Sequence, residues 1–124
     1  MASSPARLFA AEYDRLNGSV YGGALPPFPG VDVVDRTDIF SMTCSRSWGY
    51  RRQLLPFLLS RHVAGPLLVE AIRHEVAHAA AILLDGDEEH GPAWERHAVL
   101  CGASGAPTLD AGHPLRAESP WDSA

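Results

Sequence analysis

Residues 74–78 read His-Glu-Val-Ala-His and lie within a stretch that is otherwise mostly apolar. On a helix, side chains four residues apart project from the same face about one turn apart, so the two imidazoles can reach one divalent cation. Glu75 lies between them in the chain, where its carboxylate can accept a proton from water that the metal acidifies. This HExxH pattern predicts a helix at this place and the metal-assisted hydrolysis of an amide bond.

The flanking residues favour such a helix. Residues 67–73 and 79–84 are largely apolar, Pro66 suits a first helical turn, and Asp85-Gly86 suits a helix end. Glu70, His74 and His78 then form a polar stripe on an apolar helix, and burying such groups without partners would cost several kcal/mol. A metal would be their partner; the alternative is a set of ordinary histidines hydrogen-bonded to carboxylates.

A zinc site that keeps one position open for water needs a third protein ligand. His90 is the best candidate, because the chain can turn at Asp85-Gly86 and begin a second helix at Pro92, just after it. Glu88 and Glu89 are weaker candidates in the same connection.

Two of these segments resemble the SprT-like metalloprotease family. The likeness is strong in residues 74–79, His-Glu-Val-Ala-His-Ala, and in residues 90–94, His-Gly-Pro-Ala-Trp. Weaker similarity is seen in residues 16–26, 45–50 and 58–60, so the resemblance spans residues 8–102. It implies a zincin-like fold and a zinc-dependent endopeptidase, with DNA-associated or DNA-crosslinked proteins as a class of substrate.

Many members of this family carry a cysteine-rich zinc ribbon after the catalytic domain. Here the cysteines are Cys44 and Cys101 alone, with no CxxC pair, so the sequence indicates no ribbon. Two cysteines more than fifty residues apart do not form a disulfide framework, which favours a reducing compartment. We found no secretory signal and no uninterrupted apolar run long enough to cross a membrane, and we therefore expect a cytoplasmic protein.

The distribution of charge bears on DNA as a partner. The formal net charge is -5, yet residues 46–73 hold five arginines and one glutamate. A basic strand region beside the metal helix could contact phosphates. It could equally be a solvated face paired with the acidic second half of the chain, and the sequence leaves both interpretations open.

In the leading hypothesis, His74, His78 and His90 hold zinc and Glu75 is the general base that acts on a protein or peptide substrate. Carboxylates often orient ligating imidazoles, and the nearest in sequence are Glu70, Asp87 and Glu88. Candidates to stabilise the oxyanion are Tyr50, Arg51 and His97. An extended substrate could pair with an exposed strand near the metal.

The alternative is a catalytically inactive module with a metalloprotease fold that binds zinc structurally or binds a partner. A fourth protein ligand, His97 or Cys44, would close such a site to water. The presence of Glu75 argues against this alternative, because a structural site has no use for a carboxylate beside an open position.

Apolar spacing outlines the other elements. Phe9, Tyr13 and Leu16 fall on one face of a first helix that Asn17-Gly18 would end. Three or four strands of an antiparallel or mixed sheet are predicted within residues 31–35, 39–44, 48–53 and 54–59. Pro56 makes the last of them an edge or irregular strand, because proline cannot donate to a ladder.

Trp94, Ala98 and Cys101 share the apolar side of a closing helix, which Gly102 would end. At 124 residues and 46% hydrophobic, the chain fits one domain with one core. We predict an α+β domain at residues 1–102, with an N-terminal helix, a small three- to four-stranded sheet, the metal helix and a C-terminal helix. An irregular tail, residues 103–124, follows it.

Overall fold

The computed structural model describes residues 4–103, apart from the side chain of Trp48. The helices are α1 (Pro5–Ser19), α2 (Pro66–Asp85) and α3 (Pro92–Cys101). The strands are β1 (Val31–Val34), β2 (Ser41–Met42), β3 (Ser45–Trp48), β4 (Arg51–Leu54) and β5 (Phe57–Ser60). This order of elements confirms the predicted α+β fold. The predicted tail, from residue 104 onward, lies outside the described residues, and the domain boundary stays a prediction.

The main sheet is mixed and has three strands in the order β1-β5-β2, with β1 parallel and β2 antiparallel to β5. Strands β3 and β4 form a separate antiparallel hairpin. Its turn falls at Gly49-Tyr50, inside the segment 48–53 that was predicted as one strand. Gly49 has a φ of 65°, a left-handed conformation that glycine adopts without a steric penalty, so the chain can reverse there.

Pro56 was expected to make the last strand an edge or irregular strand. The edge position was wrong, because β5 is the central strand, whereas the predicted run 54–59 is interrupted at residues 55 and 56. Proline lies one residue before the strand, and the N–H of Phe57 donates to the carbonyl of Gly30 at 3.0 Å. The N–H of Leu55, on the other side of the proline, donates to the carbonyl of Cys44 at 2.9 Å. The missing donor therefore falls between the hairpin and the main sheet, where it interrupts neither ladder.

Helix α1 covers the core with the face predicted from its sequence. Phe9, Tyr13 and Leu16 are buried, and the rings of Phe9 and Phe57 lie 4.7 Å apart between centroids. The helix ends at Ser19, two residues later than predicted. Asn17 instead holds the connection that follows, because its side chain accepts from the N–H of Leu25 and donates to the carbonyl of the same residue.

Helix α2 begins at Pro66 and ends at Asp85, as predicted, and Gly86 ends it with a left-handed φ of 68°. It is buried on most of its circumference. Helix α3 packs against it through Trp94, Ala98 and Cys101, all buried as predicted, and Gly102 ends that helix. Within residues 4–103, no helix is both long enough and apolar enough to cross a membrane.

The stability of the fold should depend on the protonation of Tyr13 in alkaline solution. Its hydroxyl donates to the carbonyl of Pro26 at 2.6 Å, and burial, followed by the negative charge of Asp14, raises its pKa from 10.0 to about 12. A group whose pKa is higher in the folded state stabilises the protein fully at any pH below its unfolded pKa. The contribution of Tyr13 is therefore lost as the pH rises from 10.0 to about 12. We expect the free energy of unfolding of the wild-type protein, measured in urea, to fall across this pH window. The free energy of unfolding of Tyr13→Phe should fall less steeply. Equal slopes for the two proteins would exclude Tyr13 as the source.

Candidate metal centre

Three histidine side chains converge between the middle of α2 and the start of α3. Helix α2 places His74 and His78 one turn apart, and the connection from residue 86 to residue 91, hereafter the metal loop, places His90 opposite them. The Nε2 atoms of His78 and His90 are 2.8 Å apart, and those of His90 and His74 are 3.4 Å apart. Nitrogen ligands at about 2.1 Å from a tetrahedral zinc ion stand about 3.4 Å from one another, so the three rings are close enough to share one cation.

The chemistry of these donors fits a metal ion. Burial and the neighbouring rings of His74 and His90 lower the pKa of His78 to about 3, and burial lowers that of His90. Both rings are therefore neutral near pH 7, and a neutral imidazole has one unprotonated nitrogen available for a metal. One ligand atom from each of His74, His78 and His90 lies within 4.8 Å of the other two. Three imidazoles are a ligand set well suited to zinc.

Trp94 forms one wall of the site. It is fully buried on α3, and its ring centroid lies 4.9 Å from that of His74, 5.3 Å from His78 and 4.7 Å from His90. Its indole N–H points to the carbonyl of His74 at 3.5 Å. Because one rigid ring contacts all three imidazoles, the packing of α3 on α2 restricts their orientations.

The metal loop is held by its own acidic residues. The carboxylate of Asp87 accepts from the N–H of Glu89 at 2.9 Å and from the N–H of Trp94 at 3.4 Å, so it ties the loop to the first turn of α3. Arg52 of β4 forms an ion pair with Glu88. Two residues that we considered as partners of the imidazoles thus position the loop that carries His90. The third, Glu70, lies half-buried on α2.

Gly91 follows His90, and the packing explains why a glycine stands there. A Cβ atom added at Gly91 would lie 2.8 Å from Oδ2 of Asp87, well inside the contact distance. The φ of Gly91 is -81°, which any residue can adopt, so the backbone conformation does not require glycine. Glycine is favoured there because any Cβ would force the Asp87 carboxylate to move.

Glu75 is buried beside the three histidines, and both of its carboxylate oxygens accept hydrogen bonds. Ser41 donates to Oε2 at 2.6 Å, and Thr43 donates to Oε1 at 2.6 Å. Burial raises the pKa of Glu75, while the two hydroxyls act in the opposite direction. Sequence reasoning missed Ser41 and Thr43. The only signal was their mixture with apolar residues in a short strand, and that signal named no partner.

The other residues considered for this site lie elsewhere. His97 shares a hydrogen bond with the carboxylate of Asp85 at 2.6 Å and another with the hydroxyl of Tyr21 at 2.8 Å, so both of its ring nitrogens are engaged. Tyr50 is fully exposed in the hairpin turn, and Arg51 is exposed beside it. In the described part of the chain, the group able to hold a metal has no member besides His74, His78 and His90; Cys44, Glu88 and Glu89 do not join it.

Residues 55–113 match the model of the SprT-like family. The matched segment makes up slightly less than half of the 124 residues. It contains β5, α2, the metal loop and α3, so all three histidines and Glu75 lie inside the match. The resemblance drawn from the two histidine segments is thereby confirmed for this segment, whereas the weaker similarity in residues 16–26 and 45–50 lies outside it. No curated protein and no solved structure matches the chain.

Replacing Gly91 with alanine should weaken metal binding at the three histidines. The new Cβ would displace the Asp87 carboxylate from the two backbone N–H groups that it caps, and His90 would lose its fixed position. Loss of such supporting contacts typically lowers metal affinity by about 10-fold to 100-fold, and competition with a chromogenic chelator for Zn²⁺ would measure it. Gly18→Ala is the matched control, because a Cβ there meets nothing within 4 Å. Equal affinities for the two variants would contradict this account of Gly91.

Proposed function

We propose that the chain is a zinc-dependent endopeptidase in which His74, His78 and His90 hold the metal and Glu75 is the general base. The observation that carries the proposal is the convergence of three imidazoles beside a buried carboxylate that does not itself belong to the ligand group. A purely structural site would not need that carboxylate. The match of residues 55–113 to the SprT-like family supports the same activity.

When bound, zinc would supply Lewis-acid activation of water and of the peptide carbonyl. The protein supplies the proton transfers. Glu75 accepts a proton from the attacking water on a carboxylate oxygen and then passes it to the amine nitrogen of the leaving group as the C–N bond breaks. Burial raises the pKa of Glu75, which favours both halves of this task, because an acid–base group works best when its pKa lies near the pH of the reaction.

Strand β2 is suited to bind an extended substrate. It lies at an edge of the sheet, with β5 on one side, and Ser41 within it donates to the catalytic carboxylate. A peptide that added to the outer edge of β2 would be held by backbone hydrogen bonds, close to Glu75 and with little dependence on side chains. We therefore propose unfolded or extended protein segments as the substrate class.

We further propose that these substrates include DNA-associated proteins. The hairpin contributes Arg46, Arg51 and Arg52 to the lining of a cavity of about 620 Å³, which also includes Pro26, Pro27 and Pro29. Positive side chains in a concave surface favour contact with phosphate groups. Binding to single-stranded DNA that weakens with rising salt, together with faster proteolysis in its presence, would support this partner. The absence of both effects at low salt would leave a general peptidase.

Glu75→Gln should abolish most of the activity and retain the metal. An amide cannot accept the proton from water, and losing a general base typically lowers the rate by about 10²-fold to 10⁴-fold. The measurement is the cleavage of unfolded casein by protein whose zinc content has been determined by atomic absorption. Glu95→Gln, an exposed position on α3, is the control. Undiminished turnover by zinc-loaded Glu75→Gln would remove Glu75 from the mechanism.

His90→Ala should release the metal, because the two remaining imidazoles on α2 cannot form a stable site by themselves. We expect a zinc content well below that of the wild-type protein after dialysis against a weak chelator. His62→Ala is the control, since His62 pairs with Asp35 outside the metal centre. An unchanged zinc content in His90→Ala would show that another residue supplies the third ligand.

A further inference from the structure

We propose that Ser41 and Thr43 are positioning residues that hold the carboxylate of Glu75 beside the metal and outside its coordination sphere. The inference rests on the proposed function and concerns one residue of β2 and one residue just after it, neither of which contributes a metal ligand. Both hydroxyls lie within hydrogen-bond distance of a fully buried carboxylate, one on each oxygen.

The two contacts have the geometry of strong hydrogen bonds. Each O···O distance is 2.6 Å, within the range of about 2.5–2.7 Å for a hydroxyl that donates to an ionised carboxylate. The Thr43 hydroxyl also lies 3.0 Å from the backbone carbonyl of Glu75, but the shorter contact is to the carboxylate. Because one hydroxyl holds each oxygen, rotation of the carboxylate about its terminal bond is restricted.

The end of β2 presents the two hydroxyls as a pair, since Ser41 lies in β2 and Thr43 directly follows its last residue, Met42. Ser41 and Thr43 are two residues apart, and residues at this spacing in an extended chain project to the same side. Ser41 is paired with Leu59 of β5, so the position of this pair is set by the central strand of the sheet. Glu75 is therefore fixed from two directions, by its own helix α2 and by the sheet that packs against it.

A buried glutamate next to three imidazoles needs such a restraint. A carboxylate is itself a good zinc ligand, and its entry into the site would occupy the position that water requires. In the structure the Glu75 oxygens do not join the three nitrogens that lie within 4.8 Å of one another. An ionised carboxylate offers about four acceptor positions, so two hydroxyl donors still leave positions for the proton of the attacking water.

Thr43→Val tests the proposal, because valine has nearly the shape of threonine and lacks its hydroxyl. We expect kcat to fall by about 10-fold or more with an unchanged KM, since the edge of β2 that binds substrate is unaltered. Thr43→Ser keeps the hydroxyl and should restore kcat to near the wild-type value. Thr37→Val, at an exposed position, is the matched control and should leave both constants unchanged. A wild-type kcat in Thr43→Val, or an equal loss in Thr43→Ser, would overturn the proposal.

The absorption spectrum of the Co²⁺-substituted protein provides a readout that does not need turnover. Cobalt reports its coordination number and geometry in the visible region. In the double variant Ser41→Ala/Thr43→Val, the released carboxylate should enter the coordination sphere and change this spectrum. Adding Glu75→Gln to the double variant should reverse the change. A spectrum identical to that of the wild type in the double variant would contradict the proposed restraint.

The two measurements separate this inference from the proposed function. If the zinc-loaded wild-type protein cleaves no substrate, the peptidase proposal fails, while the cobalt spectrum still decides whether the hydroxyls hold Glu75. If the variant Thr43→Val is not folded by circular dichroism, Ser41→Ala removes a single hydroxyl without adding volume. A fall in kcat at constant KM in Ser41→Ala would support the inference, and an unchanged kcat would contradict it.

Discussion

The structure depends on how α2 satisfies the polar groups that it carries into the core. This helix is buried on most of its circumference, yet His74, Glu75 and His78 are among its buried residues. Polar groups buried without partners cost several kcal/mol each, so their partners must come from other parts of the chain. The metal loop brings one further imidazole to the two histidines, and the strand β2 region brings two hydroxyls to the carboxylate. Both contacts position the loop and the sheet relative to α2.

His97 and His90 show how the surroundings of a histidine decide its role. His97 has both ring nitrogens engaged, by Asp85 and Tyr21, and it links α3, the end of α2 and the segment after α1. Its capacity for hydrogen bonds is used in holding the fold together. His90 instead directs Nε2 toward two other imidazoles, and burial lowers the pKa of its ring. Only the second arrangement leaves a nitrogen for a metal.

The sheet connects the proposed substrate and the proposed base. Because β5 is central, its pairing holds β2 at an edge, and β2 carries a hydroxyl that reaches Glu75. The sheet would therefore fix the position of a peptide bound along that edge relative to the carboxylate that acts on it. Pro56 separates β5 from the hairpin, whose arginines line a cavity.

The sequence alone predicted helix α2 and both of its ends, because helical periodicity, a proline at the start and a glycine at the end are local signals. It also placed His74, Glu75 and His78 on that helix. The role of His90 as a candidate ligand could also be predicted, since the turn before it and the proline after it are local signals. The central position of β5 could not be predicted from the sequence, because the pairing of a strand depends on the whole sheet. The hydroxyls on Glu75 come from residues 34 and 32 positions away, and the engagement of His97 depends on Tyr21, 76 positions away. Contacts between residues so far apart produce no periodic pattern in the sequence. They were decided by the packing of the sheet and of α3 against α2.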